Sequence, residues 1–219
     1  MKQKSLNLIA ALLVFTGLQS PYLARANADV VPVTESVAGK TYAQWGVEWY
    51  RWDLSNPTDK ASSLDPTGAN SSAGQAGPVW FLAGKSGGQE PVTRNVVVPA
   101  GKYIFFPIIN VINDYPCPDA TFQPAPGQSL EAFLAVFAKS IIDTTVDLGV
   151  EIDGQAVANV NSYRAASGLI TFTADPSWTA FDSCITGSEQ QAVVDGYWLM
   201  LRPLSAGEHV IKQIGRAHV

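Results

Sequence analysis

From residue 79 to the C-terminus the chain is a succession of short apolar runs, each bounded by glycine, proline or aspartate turn signals. The runs fall at 79–83, 92–98, 103–111, 145–152, 156–160, 167–173, 192–201 and 208–214. Such lengths and spacings suit strands, and no strand–helix–strand alternation of the kind that builds parallel sheets interrupts them. Pro99-Ala100-Gly101 between two of these runs predicts a hairpin, and Asp153-Gly154 predicts another. Pro107 cannot donate to a ladder, so it predicts a bulge or a sheet edge at that point. The expected fold is mainly β: a two-layer antiparallel sandwich, jelly-roll-like, with two helices packed over an open edge or end.

The helices are predicted over 41–54 and 129–141. Gly39 precedes the first and Asn56-Pro57 stops it, while Tyr42, Trp45, Trp49 and Trp52 recur at three- and four-residue steps along one stripe. Three of the six tryptophans lie on this segment. The stripe has two readings. It packs the helix onto a sheet, or it forms a partly open platform on which a sugar or another planar ligand stacks. In the second helix Ser129 is the expected N-cap, Glu131 sits in the first turn, and Leu130, Phe133, Leu134, Phe137 and Ala138 form an apolar face. Residues 56–78 read as a long loop around the Asp65-Pro66-Thr67-Gly68 turn, of a length that suggests a function or a short element of its own.

The N-terminus speaks to compartment. Lys2 and Lys4 precede an uncharged apolar run over 8–18, and Ala26-Asn27-Ala28 supplies a small-x-small cleavage pattern, so residues 1–28 read as a secretory signal peptide cut near Ala28. Residues 29–219 are then a single exported domain, periplasmic, secreted or at the cell surface. That remainder carries eleven basic against nineteen acidic residues, which disfavours nucleic acid and polybasic docking on a membrane surface. The longest later apolar stretch, 103–109, is too short to span a bilayer and contains a proline. Cys117 and Cys184, the only cysteines, both lie in turn-like sequence 67 positions apart. In an oxidising compartment they are expected to form a disulfide between loops.

Several segments resemble a broad group of uncharacterised exported microbial β-rich proteins. They are the Tyr42-x-x-Trp45…Glu48-Trp49…Trp52 helix, 77–84 (GPVWFLAG), the Val98-Pro99-Ala100-Gly101-Lys102 turn followed by Phe106-Pro107-Ile108, and Val150-Glu151-Ile152-Asp153-Gly154. The closing 201–211 (LRPLSAGEHVI) belongs with them. The resemblance implies one exported sandwich-like domain and carries no activity with it.

Catalytic signatures are sparse. There is no Gly-x-Ser-x-Gly elbow, so a Ser-His-Asp hydrolase would depend wholly on His209, which reads first as a structural histidine, and His218 adjoins the terminus. Carboxylates are plentiful. Glu48 beside the tryptophan stripe, with Asp53, Asp114 or Asp195 as a partner, is the set a glycoside-cleaving enzyme would use. Asn110, Asn113, Asp114 and Asp119 cluster after a strand and offer oxygen ligands that suit calcium, without EF-hand spacing. The leading expectation is a non-enzymatic binding domain for a glycan, a peptide or a second copy of itself. The alternatives are a carboxylate-dependent carbohydrate-active enzyme using Glu48, and an assembly subunit joined by strand addition, with residues 29–38 as the donated strand.

Overall fold

The computed structural model describes residues 29–85 and 91–217. The signal-peptide segment and His218 lie outside them. Helix α1 spans Tyr42–Ser55 and α2 Leu130–Asp143; the strands are β1 (Val79–Phe81), β2 (Tyr103–Tyr115), β3 (Thr145–Ile152), β4 (Gln155–Ala156), β5 (Arg164–Ala166), β6 (Ile170–Thr173), β7 (Glu189–Leu201) and β8 (Ile211–Ala217). They form a five-stranded sheet ordered β1-β2-β7-β5, with β6 also on β7, and a three-stranded sheet ordered β4-β3-β8. The fold is the mainly β, sandwich-like one expected. The larger sheet is mixed, because β1 runs parallel to β2.

β7 is the centre of the molecule. Along one side it pairs antiparallel with β2 from Leu201 to Gln191. Its other side is covered in succession by the lead-in, where Val31 N–H donates to Met200 O at 2.8 Å, then by β5 and β6. Period-two alternation then sorts its side chains. Ala192, Val194, Trp198 and Met200 face α1, whereas Leu199 and Leu201 face the smaller sheet and Val193 faces α2. The helices therefore lie on opposite faces of the larger sheet, not over an edge or end. The physical cause is that α1 carries a full stripe of large rings, which only a sheet face is broad enough to bury.

Pro107 does mark a bulge: the β2–β7 register shifts between Pro107 and Ile109. β8 crosses at this place, and Gly215 makes the crossing possible, since a Cβ there would lie 2.4 Å from the Ile108 carbonyl oxygen. The 92–98 run, expected as a strand of a hairpin, joins no ladder. It is extended, but Asn95 N–H donates to Thr67 O at 3.2 Å, and Arg94 turns into the preceding loop, donating to Asp65 O at 2.6 Å and Ala83 O at 2.8 Å. β2 pairs instead with β1 and β7.

The long loop over 56–78 is held by side chains in place of regular structure. Asp65 accepts from the N–H groups of Thr67 and Asn70, both at 2.8 Å, and these bonds, Asn70's first, hold its carboxyl down to about 2. Gln75 copies a strand by pairing with both Phe81 N–H and Phe81 O, at 3.0 and 2.8 Å. The loop is thereby a lid over α1, where Trp52 Nε1 donates to Ala73 O at 2.8 Å.

Candidate functional site

The tryptophan stripe is core. Tyr42, Trp45, Trp49 and Trp52 are 2%, 7%, 4% and 5% exposed. Each polar ring atom is spent internally. Trp45 Nε1 donates to Val37 O at 3.0 Å and Trp49 Nε1 to Leu82 O at 2.9 Å, while the Tyr42 hydroxyl donates to Val31 O and accepts from Met200 N–H. A buried ring with its donor satisfied has no face left for a ligand, so the open platform is not formed. The Tyr42 bridge also pins the lead-in to its own chain, and Val31 is fully buried.

The carboxylates proposed for glycoside chemistry do not converge. Glu48 is ion-paired with Lys40 at 2.9 Å and Arg51 at 3.2 Å. Asp53 is buried and accepts from both the N–H and the hydroxyl of Ser63, at 3.2 and 2.5 Å. Burial pushes its carboxyl up, and those two bonds and the nearby Arg94 charge pull against it. Asp195 takes a two-pronged contact from Arg164, at 3.1 and 2.5 Å, and Arg164 reaches on to Asp143 at the end of α2. That triad of charges ties α2 to β5 and β7.

The oxygen cluster considered for calcium is dispersed by strand alternation. Asn113 points to α2 and donates to Leu134 O at 3.0 Å, whereas Asp114 accepts from Gln190 at 3.0 Å. Asp119 is used within its own turn by Thr121, and the Asn110 amide nitrogen is buried with no hydrogen-bond partner. Among the described residues no group of three or more His, Cys, Asp or Glu could hold a metal ion. β2 carries Asn110, Asn113 and Asp114 on to Tyr115, and Asp119 lies beyond it in a turn of its own.

Cys117 and Cys184 form the expected disulfide. Beside it the Gln190 amide nitrogen contacts Asp114 Oδ2, Pro116 O and Cys184 O, at 3.0, 2.9 and 2.8 Å, and its oxygen accepts Thr186 N–H at 2.7 Å. Burial, then repulsion from Asp182, raises the Asp114 carboxyl to about 6, against the lowering effect of the Gln190 bond. The folded protein therefore holds this proton more tightly than the unfolded chain. Stability from this group is full below about pH 4 and is lost as pH rises through about 6. Asp114→Asn removes the charge and keeps an oxygen for Gln190. It is expected to be more stable than the parent at pH 7.5 by on the order of 1–2 kcal/mol, with the difference shrinking toward pH 4. Urea unfolding of both proteins across that range measures it, and a constant difference would contradict the assignment.

One end of the molecule gathers residues that lie far apart in sequence. There the lead-in, the β3–β4 turn and the connection between β7 and β8 meet. Arg202 is ion-paired with Asp29 at 3.1 Å and Glu35 at 2.8 Å. Beside Asp29 an open groove of about 720 Å³ runs past Ile152, Gln155, Asn159 and Tyr163. In the adjoining turn Asp153, at φ +52°, donates its N–H to Val210 O and accepts Val210 N–H on Oδ1, both at 2.8 Å. Its Oδ2 lies 2.6 Å from His209 Nδ1. The far ring nitrogen, Nε2, lies 3.3 Å from Ser205 Oγ and 3.0 Å from Ser205 O. Two of the quoted motifs, VEIDG and LSAGEHVI, thus meet through side chains. Nothing in their spacing could announce it, because 56 residues separate Asp153 from His209.

Comparison with family models, with characterised proteins and with solved structures gives no match to this chain.

Proposed function

We propose that the chain is an exported binding domain whose ligand occupies the groove beside Gln155 and Asn159, and that the ligand is a glycan. The groove carries this reading. Its lining combines a carboxylate (Asp29), two amides (Gln155, Asn159), a tyrosine (Tyr163) and an apolar floor at Ile152. Hydroxyl-rich ligands need that mixture: side chains that both donate and accept, and a ring against which a sugar face lies. The leader-like residues 1–28 and the disulfide support export. Among the described residues no helix is long and apolar enough to cross a membrane.

The other readings find less support. Glu48 is engaged by two cations and does not line the groove. Residues 29–38 are used by their own chain through Val31 and Val37, which leaves no detached segment to donate.

The test is a two-dimensional NMR titration with cello-, chito- and xylo-oligosaccharides. Shifts are expected to localise to 152–163. Gln155→Ala and Tyr163→Phe are expected to weaken binding about tenfold each, the loss of one or two hydrogen bonds to a polar ligand. Absence of shifts in this segment with every saccharide sinks the glycan assignment.

A further inference from the structure

The geometry points to a second property of the same end of the molecule: Ser205, His209 and Asp153 form a nucleophile, base and orienting acid that hydrolyse small carboxylic esters. The inference does not rest on what the groove binds.

The connectivity is that of an activated serine. A nucleophile needs a base within hydrogen-bond reach, and the base needs a third group to hold its ring, with apo distances often looser than in the working complex. Ser205 Oγ, His209 Nε2, His209 Nδ1 and Asp153 Oδ2 follow one another at 3.3 and 2.6 Å. With Nδ1–H donating to Asp153, the neutral ring turns an unprotonated Nε2 to the serine hydroxyl, whereas the protonated ring donates Nε2–H to Ser205 O, 3.0 Å away. Asp153 cannot swing away. Its other oxygen and its own N–H are bound to Val210, next in sequence to the histidine. The Asp153 side chain is 5% exposed and the His209 side chain 14%, while Ser205 is exposed, so the acid is shielded and the nucleophile is reachable.

The Ser205 carbonyl fits the same scheme. Once Nε2 has taken the hydroxyl proton, the new N–H can donate to that carbonyl, 3.0 Å away, which stabilises the imidazolium during attack. Ala206 and Gly207 follow on the exposed turn, and a Cβ placed on Gly207 would meet nothing within 4 Å. The oxyanion is assigned to the N–H groups of this turn.

The steps balance. Ser205 Oγ bonds to the ester carbonyl carbon as its proton passes to Nε2. The carbon–oxygen bond to the alcohol then breaks, and the alcohol leaves with the Nε2 proton. Water attacks the acyl-serine, gives one proton to Nε2, and releases the carboxylic acid as Ser205 recovers that proton. Ser205 lies on an exposed turn, so acetyl-sized groups are the expected acyl class.

The full exported chain is tested with p-nitrophenyl acetate and with a fluorophosphonate probe. Hydrolysis above background and probe mass on the peptide bearing Ser205 are expected. Ser205→Ala is expected to abolish both, and His209→Ala to slow hydrolysis about a hundredfold. Asp153→Asn keeps an oxygen for Val210 N–H but no longer holds the Nδ1–H ring. It is expected to lower kcat with little change in KM and an unchanged melting temperature. An unreactive wild-type protein, or reactivity that survives Ser205→Ala, overturns the inference. Neither result bears on saccharide shifts in the groove.

Discussion

Trp198→Ala is expected to lower the free energy of unfolding by about 3–5 kcal/mol, the range for truncating a fully buried tryptophan. Trp198 is 0% exposed and lies between α1 and the larger sheet, in contact with rings of both. It stacks on Phe105 at 5.4 Å and 11°, and meets Trp49 and Tyr50 edge-on at 6.0 and 6.3 Å. Its Nε1 donates to Ala165 O at 3.2 Å, linking β7 to β5. Gly46 on α1 is small enough to admit it: a Cβ there would sit 3.0 Å from Trp198 Cζ2. The cavity left by alanine cannot collapse easily, because the neighbouring rings are held by each other and by their own carbonyl partners. Equilibrium unfolding in guanidinium measures the loss. A cost below 1 kcal/mol would mean that α1 repacks freely on the sheet.

Removing the disulfide, as Cys117→Ser with Cys184→Ser, is expected to cost about 4.4 kcal/mol in the chain-entropy account, with the folded structure retained. The bond ties residues 67 apart in sequence, but in the fold it closes the end of the longest ladder, just beyond the Tyr115–Gln191 pair. Its partners are adjacent with or without it, since Gln190 also joins Pro116 O to Cys184 O. The bond therefore acts mainly on the unfolded chain. Unfolding curves with and without reductant, together with far-UV circular dichroism of the variant, check both halves of the expectation. Retained stability after reduction would show that the denatured chain is already compact there.

The elements were legible where local chemistry decides them. Thr41 caps α1 and Asn56-Pro57 ends it; Ser129 caps α2 and accepts Ala132 N–H at 3.2 Å. Residues 145–152 form the strand their alternation predicts. The run over 92–98 alternates equally well and forms none. A strand needs a neighbour's ladder as well as a pattern, and this segment is instead held by side chains: the Arg94 guanidinium on loop carbonyls and Val98 against the core. β5, three residues long, carried no periodicity to read, and exists because β7 offers it an edge.

The candidate site divides in the same way. Carboxylates near aromatic rings drew attention to Glu48, Asp53, Asp114 and Asp195, and each turns out to be bound to a cation, a hydroxyl or an amide of the scaffold. Asp153 and Ser205 looked like turn residues, which they are. Their chemistry arises only because the β3–β4 turn and the connection into β8 lie side by side.

By itself the sequence determined the class of fold, the helix ends, the Pro107 bulge and a cysteine pair placed to bridge two loops, because propensity, caps, proline geometry and alternation act within a few residues. Tertiary structure alone decided which face each helix covers, that the tryptophan stripe is core, and that Ser205, His209 and Asp153 meet. Those outcomes depend on which strands become neighbours, and pairing between segments tens of residues apart is settled by the burial of the whole chain, to which no local pattern has access.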